Sequence, residues 1–160
     1  MKNYQLEIKW ALIFVGMQLL WMLGERLSGL HDEHIAQHAT WSNLVMIPAI
    51  TIYVLALRDK RKSAFNGLMT YKQGFMAGLW ISVFVTMVSP LTQWITSAVI
   101  SPDYFTNVAA YAVSEGKMTE DEAAAYFSMG NYIKQTVIFT PIMGVITTAI
   151  VAIFTRKSAK

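Results

Sequence analysis

The stretch Gly29-Leu30-His31-Asp32-Glu33-His34-Ile35-Ala36-Gln37-His38 holds all three histidines of a 160-residue chain that contains no cysteine. Imidazoles interleaved with carboxylates are metal-ligand chemistry, zinc first, because neutral imidazole and carboxylate are both zinc donors. Wound as one helix, His31, His34 and His38 share a face, at about 0°, 300° and 340° around the axis. His34 and His38 have the i, i+4 spacing by which zinc proteases hold their metal, although the full HExxH order is missing. Distance stands against all three acting together. From His31 to His38 is roughly 10 Å of helical rise, whereas zinc holds its nitrogens within about 2.1 Å. A metal site here needs the segment to bend, or Asp32, Glu33 or a second helix to contribute. The competing reading is a polar turn whose carboxylates pair with histidines at a membrane surface. Zinc or another divalent metal at these histidines is the only cofactor that the sequence suggests.

Whatever positions these residues is not built like a soluble domain. Hydrophobic residues make up 54% of the chain and charged ones 14%, where a soluble surface needs roughly 25–35% charged residues. Four apolar runs replace that surface. Residues 6–27 form the first span once helix extends past the run 10–23 at both ends, with Glu7 and Lys9 snorkelling to one interface and Glu25 and Arg26 to the other. Residues 41–57 are near the lower limit of roughly 17 residues for a span, and Pro48 within them is tolerable in a bundled membrane helix. Residues 74–100, with Pro90, are long enough to span with tilt or a kink, and residues 133–154, with Pro141, make a full span. The sequence after the first run has no A-x-A-like cleavage site, so the run reads as an uncleaved span and not as a signal peptide. The expected fold is an all-α integral membrane protein, one domain over residues 1–160, with four transmembrane helices in an up-down-up-down bundle.

Charge placement orients it. Lys2, Lys9, Arg58, Lys60, Arg61, Lys62, Lys72, Arg156, Lys157 and Lys160, 10 of the 13 basic residues, flank one side. Only Arg26, Lys117 and Lys134 fall on the other. The basic side faces the cytoplasm, which puts both termini and the loop 58–73 inside and the segments 28–40 and 101–132 outside. Arg58-Asp59-Lys60-Arg61-Lys62 has the charge to attract anionic headgroups, but a topology signal explains it fully.

The longer outer segment carries helix signals. Ser101-Pro102-Asp103 suits a helix start, because proline fits the first turn and an acid there favours the dipole. Gly116 marks its end, and Thr119-Glu120-Asp121-Glu122 is a capping box opening a second short helix. Within the third span, Gly74, Gly78 and Ser82 recur every fourth residue; Gly144 and Thr148 form a matching stripe in the fourth. Small residues at this spacing let backbones approach closely. Packing of spans three and four inside one chain is the economical reading, and a dimer through Gly74 and Gly78 is the sharper one.

Transport would need polar groups at depth. Glu25, Ser89, Gln93, Gln135 and Thr140 are the candidates for a path along spans three and four, with Glu25 reaching Gln93 or Gln135. No phosphate-cradling glycine loop, nucleophile elbow or base-nucleophile pair appears, so the residues lean away from an enzyme. Nucleic-acid binding has no support beyond the one basic cluster.

GLHDEH, RDKRK, TYKQGFMAGLWISV, SPLTQWITSAVISPDYF and TEDEAAAYFSMGNYIKQ, in this order over nearly the whole chain, resemble the bacterial domain-of-unknown-function family 4199. The resemblance implies a small four-span protein of the bacterial inner (plasma) membrane. It implies no activity and transfers no functional residue. The leading expectation is a structural or interaction module in contact with membrane lipids, with homo-oligomer formation as its sharper form. A small transporter or channel is the alternative, and a periplasm-facing metal-binding enzyme or sensor a further one.

Overall fold

The structure, a computed structural model, describes residues 4–157. Lys2 and Lys160, counted above in the basic flank, lie outside the described residues. The element order is α1 (Gln5–Leu27), α2 (Ile35–Trp41), a 3₁₀ turn (Ser42–Val45), α3 (Met46–Ala64), α4 (Tyr71–Ile95), a π-helical turn (Thr96–Ile100), α5 (Tyr104–Ser114), α6 (Glu120–Tyr126) and α7 (Met129–Thr155). Four segments are long and apolar enough to cross a membrane: Gln5–Leu27, Ile35–Ala64, Tyr71–Ile100 and Met129–Thr155. The chain is a multi-span membrane protein, an all-α bundle with two short helices between its third and fourth spans. Large apolar side chains such as Leu20, Leu27, Met87 and Phe154 point outward, as lipid contact requires.

Helix ends differ from the expected ones for local reasons. The second crossing begins at Ile35, because α2 runs through the 3₁₀ turn into α3. The third begins at Tyr71, where the Thr70 hydroxyl accepts from the Gln73 N–H and the Gln73 side chain accepts from the Thr70 N–H. Thr119 and Glu122 make the same reciprocal pair at the start of α6. Pro102 is not in a helical first turn: residues 101–103 form a turn, and α5 starts at Tyr104 after an Asp103 whose side chain makes no cap bond. Gly116, at φ +66°, does stand just past the end of α5.

The packing is tightest between α4 and α7, which run antiparallel with their small stripes in register. Gly74 faces Ala152, Gly78 faces Thr148, and Ser82 faces Gly144. The face of α4 that carries the Gly74–Gly78 spacing is thus covered by α7 of the same chain. Around this seam lies a core of Ala11, Tyr53, Ala56, Leu57, Ala77, Ile81, Val85 and Val151. These residues sit in the half of the bundle nearest Gln5 and Thr155, called here the terminal end; the opposite end carries residues 28–34 and 101–128 and is called the far end. The Tyr53 hydroxyl shares a 2.8 Å hydrogen bond with Ser82, which ties α3 into the seam.

Polar clasps close the terminal end. Met69 and Lys157 exchange both backbone hydrogen bonds at 2.8 Å, and Arg61 donates to the Thr155 carbonyl at 2.7 Å. Glu7 does not snorkel outward. It is buried against Lys60 Nζ at 2.7 Å, while Lys9 and the Trp10 indole N–H both reach Asp59. The cations that end α3 offer Glu7 Oε1 a charged partner inside the bundle, while its Oε2 is buried without one. Orphaning a buried partner costs about 3–5 kcal/mol. Lys60 keeps some solvent contact, with its side chain 15% exposed, so Lys60→Ala is expected to cost about 2 kcal/mol. Adding Glu7→Gln should recover most of that loss in a detergent melting experiment. A Lys60→Ala protein that melts like the parent would remove this clasp from the account.

Candidate functional site: a buried carboxylate and two histidines over a polar chamber

At the far end the sequence leads α1 into a reversal. Glu25 lies one turn after Trp21, so the indole N–H donates to Glu25 Oε1 at 2.6 Å. Ser28 ends the helix, and Gly29 adopts φ +76°, a left-handed conformation that side-chain-bearing residues rarely take. The His34 N–H then bonds back to the Gly29 carbonyl at 2.7 Å. This folds residues 28–34 over the end of α1 and brings His31 beside Glu25. Outside the turn, Arg26 holds Asp32 at 2.7 Å.

His31 is fully buried, and Glu25 is 4% exposed. His31 Nε2 lies 3.2 Å from Glu25 Oε2, and His38 Nε2, carried by α2, lies 3.5 Å from the same oxygen. From α5, the Asn107 side-chain amide donates to the His31 carbonyl at 2.9 Å. The Tyr104 ring packs 5.0 Å from the His31 ring and 5.1 Å from the His38 ring. Burial pushes the Tyr104 phenol up from its ordinary range, so it stays a neutral hydroxyl. Four elements thus converge on one carboxylate: α1, the 28–34 turn, α2 and α5.

Below the cluster is a polar cavity of about 200 Å³. Glu25 and His38 line it together with Gln18, Thr92, Gln93 and Thr96, and Tyr104 and Tyr132 flank it. The π-helical turn at the end of α4 contributes to this lining: Thr96, Ser97 and Ser101 are all buried there. Such turns recur at functional sites because the extra residue re-aims the side chains around it. Gln93 donates to Ser97 at 2.8 Å, whereas the Ser101 hydroxyl is buried without a hydrogen-bond partner. The volume suits several waters or a small solute. It is below the roughly 300–1,000 Å³ of pockets for drug-sized ligands. Between α3 and α7 an apolar crevice of about 660 Å³ borders the cavity and shares Gln18, Gln93, Tyr132, Thr136 and Thr140 with it.

The candidate residues of the sequence reading therefore divide. Of His31, His34, His38, Asp32 and Glu33, only His31 and His38 converge; His34 lines a second groove with Leu30, Gln37 and Trp41, whose wall also includes Trp21 and Glu25. Asp32 is taken by Arg26, and Glu33 is exposed. Of the polar-path residues, Glu25, Ser89, Gln93 and Thr140 line the cavity, and Gln135 lies on the neighbouring crevice. Glu25 bonds to Trp21 and His31, and Gln93 to Ser97. Gly74, Gly78, Ser82, Gly144 and Thr148 belong to the α4–α7 seam. Tyr104, Asn107 and Trp21 were not singled out from sequence; the i, i+4 spacing of Trp21 and Glu25 is the one signal that marks any of them.

Residues 9–157 match the family model described as "Protein of unknown function (DUF4199)". No curated protein and no solved structure matches the chain.

Proposed function

We propose a function on one premise: the chain belongs to the DUF4199 family of proteins of unknown function. It is a membrane-embedded binding protein that admits a small polar or cationic solute from the far side into the chamber beside Glu25. One observation carries this reading. A carboxylate 4% exposed sits with two imidazoles at the head of a polar cavity and has no lysine or arginine partner there. Burying ionisable groups at the end of a membrane bundle is expensive, and such groups mark binding sites by default. The buried Glu7 of the terminal end, by contrast, is neutralised by Lys60.

The orientation belongs to the same reading. The described cations Lys9, Arg58, Lys60, Arg61, Lys62, Lys72, Arg156 and Lys157 crowd the terminal end. That end then faces the cytoplasm of a bacterial inner membrane, with both termini inside, and the chamber faces the periplasm. Transport receives less support, because the residues lining the chamber reach Ser89 on α4 and Thr140 on α7 and do not include Ile81, Gly144 or Thr148 deeper in the seam.

The absence of native cysteine makes the test clean. Thr92→Cys is expected to react with a small membrane-impermeant thiol reagent applied from the periplasmic side, and not from the cytoplasmic side. Ile81→Cys, in the dry half, should react from neither. Failure of Thr92→Cys to react from the periplasm would sink the open chamber. Equal reaction from both sides would turn the reading to a conducting path.

A further inference from the structure

The structure assigns a specific occupant to the far-end cluster: we infer that Glu25, His31 and His38 bind a zinc ion, with the fourth coordination position turned to the chamber. This rests on the chamber reading and names its ligand.

The first support is geometric. One ligand atom from each residue lies within 4.8 Å of the other two. Around a tetrahedral zinc with bonds of about 2.0–2.1 Å, neighbouring donor atoms stand about 3.3–3.4 Å apart. The two edges that meet at Glu25 Oε2 are 3.2 and 3.5 Å. In the metal-free chain the 3.2 Å edge is a hydrogen bond from His31 to Glu25, and a zinc ion would take the place of the shared proton. The remaining edge, between the two histidines, closes by movement of the His38 ring, which is 19% exposed on a short helix.

The second support is the wall around the cluster. The Ser101 hydroxyl, buried and without a partner, lines the chamber beneath it. It is an unmet polar group on the wall that Glu25 and His38 share. The Tyr104 ring packs against both imidazoles and Asn107 holds the His31 carbonyl; His31 Nδ1 itself is buried without a partner, so its ring is positioned by packing and not by the N–H bond that ligand histidines usually have.

The donor set narrows the metal to a divalent transition ion. Two imidazoles and one carboxylate with an open position serve zinc and also iron(II), and the 3.2 and 3.5 Å donor edges match tetrahedral zinc. Calcium and magnesium demand six or more oxygens or several retained waters, and the absence of thiolate removes the softest ions.

The test uses the full chain purified in detergent and stripped of metal. Zinc should bind at one ion per chain and raise the melting temperature. Cobalt(II) should give the visible absorption of a four-coordinate ion, displaced by zinc. Loss of a supporting residue lowers metal affinity by about 10–100-fold, so loss of a ligand in His38→Ala should weaken zinc binding by at least about tenfold. His38 is partly exposed, so this variant keeps its fold, which its melting without metal will verify. Glu25→Gln should abolish the four-coordinate cobalt band, and His34→Ala should bind zinc like the parent. Absence of zinc binding, parental affinity in His38→Ala, or an equal loss in His34→Ala would each overturn the assignment. The chamber is judged separately: Thr92→Cys labelled from the periplasm in a chain that binds no zinc would remove only the metal. Zinc binding in a chain whose Thr92→Cys is silent would remove only the open chamber.

Discussion

Gly78→Leu is expected to yield little or no folded protein. A Cβ built at Gly78 would stand 2.5 Å from Thr148 Cγ2 and 2.6 Å from its Oγ1, closer than any real contact permits. Thr148 is fully buried and cannot swing aside. Even alanine must part the two helices. It gains about 1 kcal/mol of helix propensity over glycine and loses about 1–3 kcal/mol to overpacking. Leucine adds three further carbons to the same gap, so its loss should exceed about 3 kcal/mol, a large part of the roughly 5–15 kcal/mol that a domain has. Melting temperature and size-exclusion profile in detergent check this. Gly16→Leu is the control, since a Cβ there meets nothing within 4 Å. A Gly78→Leu protein that melts with the parent would show that α4 and α7 do not meet as described. One that stays folded but changes only its oligomeric state would favour the dimer reading of this motif.

The second large effect is at Glu25. Glu25→Ala removes the acceptor of the Trp21 indole and of His31, leaving two donors inside the far end. Each unsatisfied buried donor costs about 1–3 kcal/mol, so a loss of about 3 kcal/mol is expected without any metal present. Glu25→Gln retains one acceptor oxygen for Trp21 and should lose less than half as much. Thermal melting of the metal-free proteins separates the two. If Glu25→Ala is as stable as the parent, water already satisfies those donors, and the far end is wetter than its burial implies.

Much of this architecture was legible before any coordinates. Charge scarcity and four apolar runs set the bundle, and the Gly74-Gly78-Ser82 stripe named the face of α4 that meets Gly144 and Thr148. The Thr119–Glu122 box marked the start of α6. The site was legible only in pieces. Spacing along a straight helix groups His34 with His38, but the left-handed Gly29 reverses the chain and sends His31 to Glu25 instead. A sequence shows that glycine can permit such a turn, not that it takes one. The inward turn of Glu7 was hidden for another reason: α1 is apolar nearly all round, so no polar stripe marks which face it buries. The π-helical turn left no trace either, because Thr96-Ser97-Ala98-Val99-Ile100 continues the pattern of α4 without a break.

The seam between α4 and α7 has a mechanical corollary. The buried residues of α7 all lie toward the terminal end, and those of α3 begin near its middle, so these two helices are held more firmly there than at the far end. The protein is a pair of tongs riveted at the handle, with its jaws in the opposite leaflet. Whatever enters between the jaws meets the Glu25–His31 contact and the Asn107 bond that join α1, the 28–34 turn and α5. News of its arrival reaches the other compartment only if the rivet itself gives way.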